Sequence, residues 1–211
     1  MIIVLFGKPG AGKGTQAPLL ANALGGSTLA TGDVLRQARR EGTPLGREAQ
    51  AFMDRGDLVP DAVILGIVAD ALRHERFATG AVLDGVVRTV PQAEGLARAL
   101  AAMGRQVDHV VSFDIDDEEI VRRLSGRTVC EQCQTPFSDV APGTACPKCG
   151  GTVARRKDDE PDAIRNRLDV YRAQTAPVLD WYHTNDVAVH SIDAVGDVQD
   201  VTKRALRSVG R

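Results

Sequence analysis

Short apolar runs alternate along the chain with longer stretches of helical period. Ile2–Phe6, Ala81–Leu83, His109–Phe113 and Val187–Ile192 are rich in β-branched or other apolar residues and read as buried strands. Gly14–Leu24, Asp61–His74, Pro91–Met103, Glu118–Ser125 and Ala163–Tyr182 carry helical period and composition. A further strand at Ser27–Ala30 is only weakly signalled. Apolar strands separated by helices predict an α/β fold, with a parallel sheet covered on both faces. Two stretches break the alternation. Thr31–Pro60 holds two short helical patterns punctuated by Gly42–Pro44 and Gly56–Pro60, and Thr128–Arg156 has almost no helical period and is full of Cys, Pro, Gly and Thr. Both read as inserts on a core.

Composition narrows the class. The 211 residues are 43% hydrophobic, 26% charged and 4% aromatic, an ordinary globular balance. Net charge is 26 − 28 = −2, so no overall positive field favours nucleic acid or an anionic membrane surface. No apolar run reaches the roughly 18–20 residues of a membrane span. Met1–Phe6 has no basic leader and runs into Gly7-Lys8-Pro9-Gly10, so it is expected to be a strand, not a signal peptide.

The junction after the first strand carries the first chemistry. Gly7-Lys8-Pro9-Gly10-Ala11-Gly12-Lys13-Gly14-Thr15 is followed by a helical pattern. Glycines let successive backbone N–H groups curl around phosphate oxygens, and the helix start behind them adds a partial positive charge of roughly 0.5 e. Lys13 brings a full charge to the outer phosphates. A strand–helix turn without a ligand needs neither this many glycines nor the lysine. Where phosphate loops commonly place Ser or Thr directly after the lysine, Gly14 intervenes and the hydroxyl is Thr15.

That variant loop resembles the loop of nucleoside monophosphate kinases, adenylate kinases in particular, and the resemblance then runs through nearly the whole chain. Thr31-Gly32-Asp33-Val34-Leu35-Arg36 is similar to the family's Thr-Gly-Asp-hydrophobic-Leu-Arg motif. The resemblance implies that Thr31 and Arg36 contact AMP, that Asp57, Leu58 and Val59 lie along its adenine, and that Asp84 at the end of a strand organises Mg²⁺ through water. It also implies that Gly85, Val86 and Val87 lead to Arg88 on the AMP phosphate, and that Gln92 reads the adenine edge with one donor and one acceptor. Arg123 and Arg127, four apart on one helical face, would lie over ATP. Arg156 and Arg167 would clamp the transferring group, and Gly10–Thr15, Pro136, Phe137 and Gly196 would complete the ATP site. Lys13, Asp84, Arg88, Arg123, Arg156 and Arg167 are thus the expected catalytic set. Phosphoryl transfer needs alignment and charge neutralisation rather than a nucleophilic side chain, and arginines suit dispersed phosphate charge.

All four cysteines fall in the second insert, as Cys130-Glu-Gln-Cys133 and Cys146-Pro-Lys-Cys149 with twelve residues between the pairs. Two such turns complete a tetrahedral S₄ site that leaves a metal no open position, so the expected ion is structural Zn²⁺, with iron the other candidate. From Gly126 to Asp159 five basic and four acidic residues balance, against a nucleic-acid ribbon. A disulfide or redox pair is the rival chemistry. The absence of an export signal favours a reducing compartment and metal.

The expected architecture is a P-loop NTPase-type three-layer α/β fold. A five-stranded parallel sheet occupies 1–29, 60–125 and 160–211, with a helical monophosphate-binding insert at 30–59 and a zinc-ribbon-like lid at 126–159. The resemblance implies ATP + AMP ⇌ 2 ADP with Mg²⁺, in a cytoplasmic monomer that binds neither nucleic acid nor membrane. Rival readings are a GTP:AMP or UMP/CMP kinase, or a nucleotide-binding regulator with a zinc ribbon. Thr89 and Gln92 favour AMP over pyrimidines. Two departures from the family stand out. Val86-Val87 replaces Phe-Pro, whose proline usually follows a cis bond. A cis bond before Val87 would cost about 2.5–4 kcal/mol, so a trans bond, a displaced Arg88 backbone and weaker AMP affinity are expected. Ala194 replaces a glycine ahead of Val195-Gly196, a smaller change.

Overall fold

The computed structural model describes all 211 residues. Strands β1 (Ile2–Gly7), β2 (Ser27–Ala30), β3 (Ala81–Asp84), β4 (His109–Asp114) and β8 (Ala188–Asp193) form one sheet in the order β2-β3-β1-β4-β8. Every pairing in it is parallel. All six residues of β1 are buried, which explains a continuous apolar run in place of alternation. Ile2, Val4 and Phe6 face one half of the core with Leu83, Leu96 and Tyr182. Ile3 and Leu5 face the other with Leu20, Val111 and Ile120.

β2 and β3 lie on one side of β1 and β4 and β8 on the other, so the strand order reverses there, and the crevice at the carboxyl end of β1 is where an open α/β sheet binds ligands. Four elements meet there. These are the loop into α1 (Lys13–Ala23), the end of β3, α6 (Asp117–Gly126) and the segment after β8. The weakly signalled strand at Ser27–Ala30 is formed, with Ala30 in register with Asp84.

The first insert folds as α2 (Thr31–Arg40) and α3 (Pro44–Arg55). The second folds as a small antiparallel sheet of β5 (Thr128–Cys130), β6 (Pro136–Phe137) and β7 (Val153–Ala154). α4 (Asp61–Leu72) and α5 (Val90–Ala101) pack against each other beside the sheet, and α9 (Val198–Ser208) closes the chain against α1. Gln16 ties these last two together, its amide donating to Val198 O at 2.9 Å and accepting from Thr202 Oγ1 at 2.7 Å.

One predicted element is divided. The pattern over Ala163–Tyr182 reads as a single helix, but α7 (Pro161–Val170) and α8 (Pro177–Thr184) are joined by a π turn at Tyr171–Thr175. Pro177 has no N–H to donate. The extra residue of the wide turn lets Ala176 N–H reach Tyr171 O at 2.8 Å, and it carries buried Thr175 toward the cleft.

Tyr182 on α8 packs edge-on to Phe6, with ring centroids 5.9 Å apart, yet its buried hydroxyl has no hydrogen-bond partner. Burial pushes the phenol pKa well up. An unmet buried hydroxyl costs about 1–3 kcal/mol. Tyr182→Phe is therefore expected to hold or raise stability by up to about 1 kcal/mol, keeping the aromatic pair. A melting temperature clearly below that of the parent chain would show that the hydroxyl is satisfied.

Candidate active site

A cavity of about 950 Å³ opens at the carboxyl ends of the strands. The loop after β1 forms its floor. Gly12, at φ 95°, is the residue before α1 and offers no side chain, and the Lys13 and Gly14 amides that open the helix have no backbone partner beside the cavity. Lys13 Nζ curls back over the loop onto Gly7 O at 2.6 Å and Lys8 O at 2.9 Å. Burial, opposed by Asp84 and reinforced by Arg88, Arg167 and Arg127, pushes its pKa down to about 8. The loop is anchored from outside, where Lys8 Nζ donates to Ile115 O at 2.7 Å and forms an ion pair with Asp117 Oδ1 at 2.7 Å.

Asp84 ends β3 beside Leu5 of β1, and a side chain at Gly14 would come within 3.3 Å of its Oδ2. Burial raises its pKa against the pull of Lys13 and Arg88. A carboxylate and the Thr15 hydroxyl on the phosphate side of one cleft form an oxygen-only donor set, which suits Mg²⁺.

Arg36, Arg88, Arg123, Arg127, Arg156 and Arg167 all line the cavity. Burial, then mutual repulsion, lowers the pKa of Arg88, and burial pushes Arg156 down to about 9. Arg36 Nε and Arg156 Nε are buried with no hydrogen-bond partner. Guanidiniums gathered against their own repulsion, with buried donors unmet, form a site for phosphate oxygens. Two aspartates that sequence reasoning left without a role hold this cluster in place. Asp159, with a side chain 4% exposed, takes Arg127 in a two-point contact at 2.6 and 2.7 Å, and Arg167 reaches Asp158 Oδ2 at 3.1 Å. Burial works to raise the Asp158 carboxyl, and Arg167, Arg156 and Arg127 outweigh it and hold it low.

A smaller hollow of about 70 Å³ continues the cleft toward α2 and α3, lined by Thr31, Arg36, Asp57, Leu58, Val59, Gly85, Arg88, Gln92 and Arg167 among others. Gly56, at φ 81°, closes α3 there, and a Cβ on it would sit 2.6 Å from Arg167 Cγ, so the glycine lets the insert lie against that arginine. Thr31 Oγ1 donates to Gly85 O at 2.7 Å. The Asp57 carboxylate is turned to Arg55 Nε and Asn166 Nδ2, both at 2.8 Å, whose hydrogen bonds lower its pKa.

One expected residue turns its side chain away from the site. Val86 is 1% exposed and its side chain packs in the core, where the hydrophobic effect favours it. Val87 does line the cleft. All peptide bonds are trans, the one between Val86 and Val87 included. The Arg88 backbone is gripped on both sides, its N–H donating to Gln92 Oε1 at 2.7 Å and its carbonyl accepting from Thr175 Oγ1 at 2.9 Å. Thr175 escaped sequence reasoning because only the π turn aims it.

At the other end, Pro136, Phe137 and Gly196 line the cavity, as do Gly10, Ala11 and Ala194. Above it, the sulfurs of Cys130, Cys133, Cys146 and Cys149 lie within 4.8 Å of one another. Cys130 and Cys149 sulfurs are 3.5 Å apart, and those of Cys133 and Cys146 are 3.8 Å apart. A tetrahedral ion with bonds of about 2.3 Å spaces its sulfurs about 3.8 Å apart, so the four residues fit one metal. Cys133 N–H and Lys148 N–H point at the sulfurs of Cys130 and Cys146, at 3.5 and 3.4 Å.

A phosphate loop, a buried carboxylate beside it and converging arginines, flanked by two inserts, define a nucleotide phosphotransferase of the monophosphate kinase class. The family model described as "Adenylate kinase" matches residues 5–187. The chain is 57% identical to an adenylate kinase of Gemmatimonas aurantiaca over 211 residues, covering 99% of each chain. It is 44% identical to one of Geobacter sp. strain M21, again with 99% of each covered, and 45% identical to one of Trichlorobacter lovleyi with 97% of each covered. The chain belongs to the adenylate kinase family, whose reaction is the reversible phosphoryl transfer ATP + AMP = 2 ADP, with Mg²⁺ accompanying ATP.

Proposed function

We propose that the cleft divides its two substrates between its ends. ATP takes Gly10–Thr15, Arg123, Arg127, Pro136, Phe137 and Gly196, and AMP takes Thr31, Arg36, Asp57, Leu58, Val59, Gly85, Val87, Arg88 and Gln92, with Arg156 and Arg167 at its phosphate. The observation that carries this reading is the row of arginines, with buried unpaired donors on Arg36 and Arg156, running from the phosphate loop to the smaller hollow. A protein that only bound nucleotide would have no use for cations at the far end. When bound with ATP, Mg²⁺ would be held near Asp84 and Thr15 and would neutralise phosphate charge.

The residues themselves perform the rest. Lys13 leaves the loop carbonyls for phosphate oxygen, and Arg88, Arg123, Arg156 and Arg167 surround the group in transit, where charge spreads over its oxygens. Arg127 and Arg167, held at the lid's base by Asp159 and Asp158, put the lid's movement and the charge clamp on the same hinge. Closing the inserts excludes water, which would otherwise take the phosphoryl group.

The metal in the lid is proposed to be zinc rather than iron, since it has only to hold structure. Four free thiols fit a reducing compartment such as the cytoplasm. No helix is long and apolar enough to cross a membrane, and the protein is proposed to act as a monomer away from membranes and nucleic acid. Domain limits of 30–59 and 126–159 for the two inserts belong to the same proposal. Val86-Val87 is proposed to weaken AMP binding. Restoring Phe-Pro at these positions should lower the AMP KM several-fold, and an unchanged KM would dismiss the idea.

The test is a coupled assay of the purified chain with ATP or GTP against AMP, UMP and CMP. ADP formed from ATP and AMP, with at least tenfold preference over the other acceptors, is the expected result. No ADP from that pair would overturn the reading, and GTP as the better donor would reassign the donor site.

A further inference from the structure

Gln92 is 1% exposed, and its side-chain amide is already half engaged within the protein. Nε2 donates to Asp61 Oδ1 at 2.8 Å, and Oε1 accepts from the Arg88 backbone N–H at 2.7 Å. Thr89 Oγ1 donates to the same Asp61 oxygen at 3.1 Å and accepts from Gln92 N–H at 3.2 Å, so the three side chains at the starts of α4 and α5 form one closed set. A primary amide has two donor hydrogens and two acceptor lone pairs. One of each remains, and Gln92 lines the small hollow.

Those two bonds have a consequence for the base. An amide can ordinarily exchange its oxygen and nitrogen by a half turn. Here the exchange would set Oε1 against a carboxylate oxygen and NH₂ against a backbone N–H, two repulsions in place of two hydrogen bonds. We infer that Asp61 is a specificity-determining positioning residue, which fixes the polarity of the Gln92 amide so that it offers oxygen to a base amino group and N–H to the neighbouring ring nitrogen. Adenine has that order of donor and acceptor. Hypoxanthine carries an oxygen where adenine carries its amino group, so it meets oxygen with oxygen and is rejected. Asp61 itself touches no substrate and acts only through Gln92. The inference rests on the placing of the AMP base against Gln92 proposed above.

The experiment compares kcat/KM for AMP and for IMP, with ATP as donor, in the parent chain and in D61A, D61N and Q92A. Loss of a hydrogen bond to a charged group corresponds to roughly a tenfold change or more, so D61A, which leaves only the Arg88 N–H opposing the exchanged orientation, should lower the AMP-to-IMP ratio about tenfold. D61N, whose amide can turn together with that of Gln92, should lower the ratio by no more than D61A. Q92A should collapse the ratio at least as far as D61A. If D61A does not stay folded at the assay temperature, Asp61→Ser replaces it, since a hydroxyl can donate as well as accept and frees the amide equally. An unchanged ratio in D61A with a collapsed one in Q92A overturns the inference and leaves the base reading standing. An unchanged ratio in Q92A overturns both. A ratio that falls further in D61N than in D61A overturns the polarity argument.

Discussion

Replacing Lys13 with methionine is expected to lower kcat roughly 10²–10³-fold while leaving the fold intact, the scale of removing one preorganised charge from a transition state. Lys13 Nζ has no acidic partner at bonding distance and rests on two loop carbonyls, so no ion pair is broken by the change. Methionine keeps the length and apolar stem of the side chain. The folded-state pKa of about 8 lies below the ordinary 10.5 because burial penalises the ammonium. Between those two values the unfolded chain binds more protons than the folded one, so stability rises with pH across that window. The penalty is present in full below about 8. Lys13→Met removes it, so the variant should be more stable than the parent at neutral pH and should lack this part of the rise between about 8 and 10.5.

Phosphate reverses the balance by favouring the charged form. Nucleotide binding above about pH 8 should therefore take up a fraction of a proton and weaken as pH climbs. Calorimetry in buffers of different ionisation enthalpy reads the uptake, and coupled kinetics with a melting curve read the variant. A kcat within tenfold of the parent in a folded variant would remove Lys13 from the charge-stabilising set.

The sheet and the phosphate loop could be read from the chain because each is a local pattern. Ile2–Phe6 is apolar at every position since both faces of β1 are covered, and the glycines of the loop are demanded by backbone shape. The cysteine knuckles were equally plain, since metal geometry dictates their spacing. What was missed depends on neighbours remote in sequence. Asp61 lies 31 residues from Gln92, and Thr175 lies 87 from Arg88. The π turn that presents Thr175 follows from Pro177, but periodicity alone reads through it as one helix. Val86 was assigned to the site by resemblance to Phe-Pro, and its burial shows that a motif position can survive while its side chain is turned to another task. Asp158 and Asp159 looked like part of a charged run. Only the fold shows that one of them is nearly inaccessible and gripped by an arginine where the chain enters the lid.

Cys146→Ser should release the metal and disable the lid without unfolding the core. The apolar centre of the lid consists of Cys130, Cys146 and Val153, with Phe137 and Val140 partly packed on it, too little to hold three short strands by burial alone. A structural metal contributes on the order of 10 kcal/mol or more to a small module of this kind, so an ion held by the four cysteines would in effect be the lid's core. The sheet and its two large apolar clusters share no buried residue with that centre. Loss of the metal should therefore melt residues 126–159 locally and leave the main thermal transition within a few degrees of the parent. Activity should suffer far more than stability. Pro136 and Phe137 would leave the ATP end, and the Arg127–Asp159 contact would lose the strands that join it to the lid. Misplacing positioning groups by about 1 Å can cost about 10²-fold, so kcat/KM should fall at least that far. A strong chelator on the parent chain should reproduce the effect and expose four titratable thiols. Elemental analysis separates zinc from iron. Full activity in metal-free protein, or a metal-to-protein ratio near zero in active protein, would mean that the lid is held by its strands and not by the sulfur site.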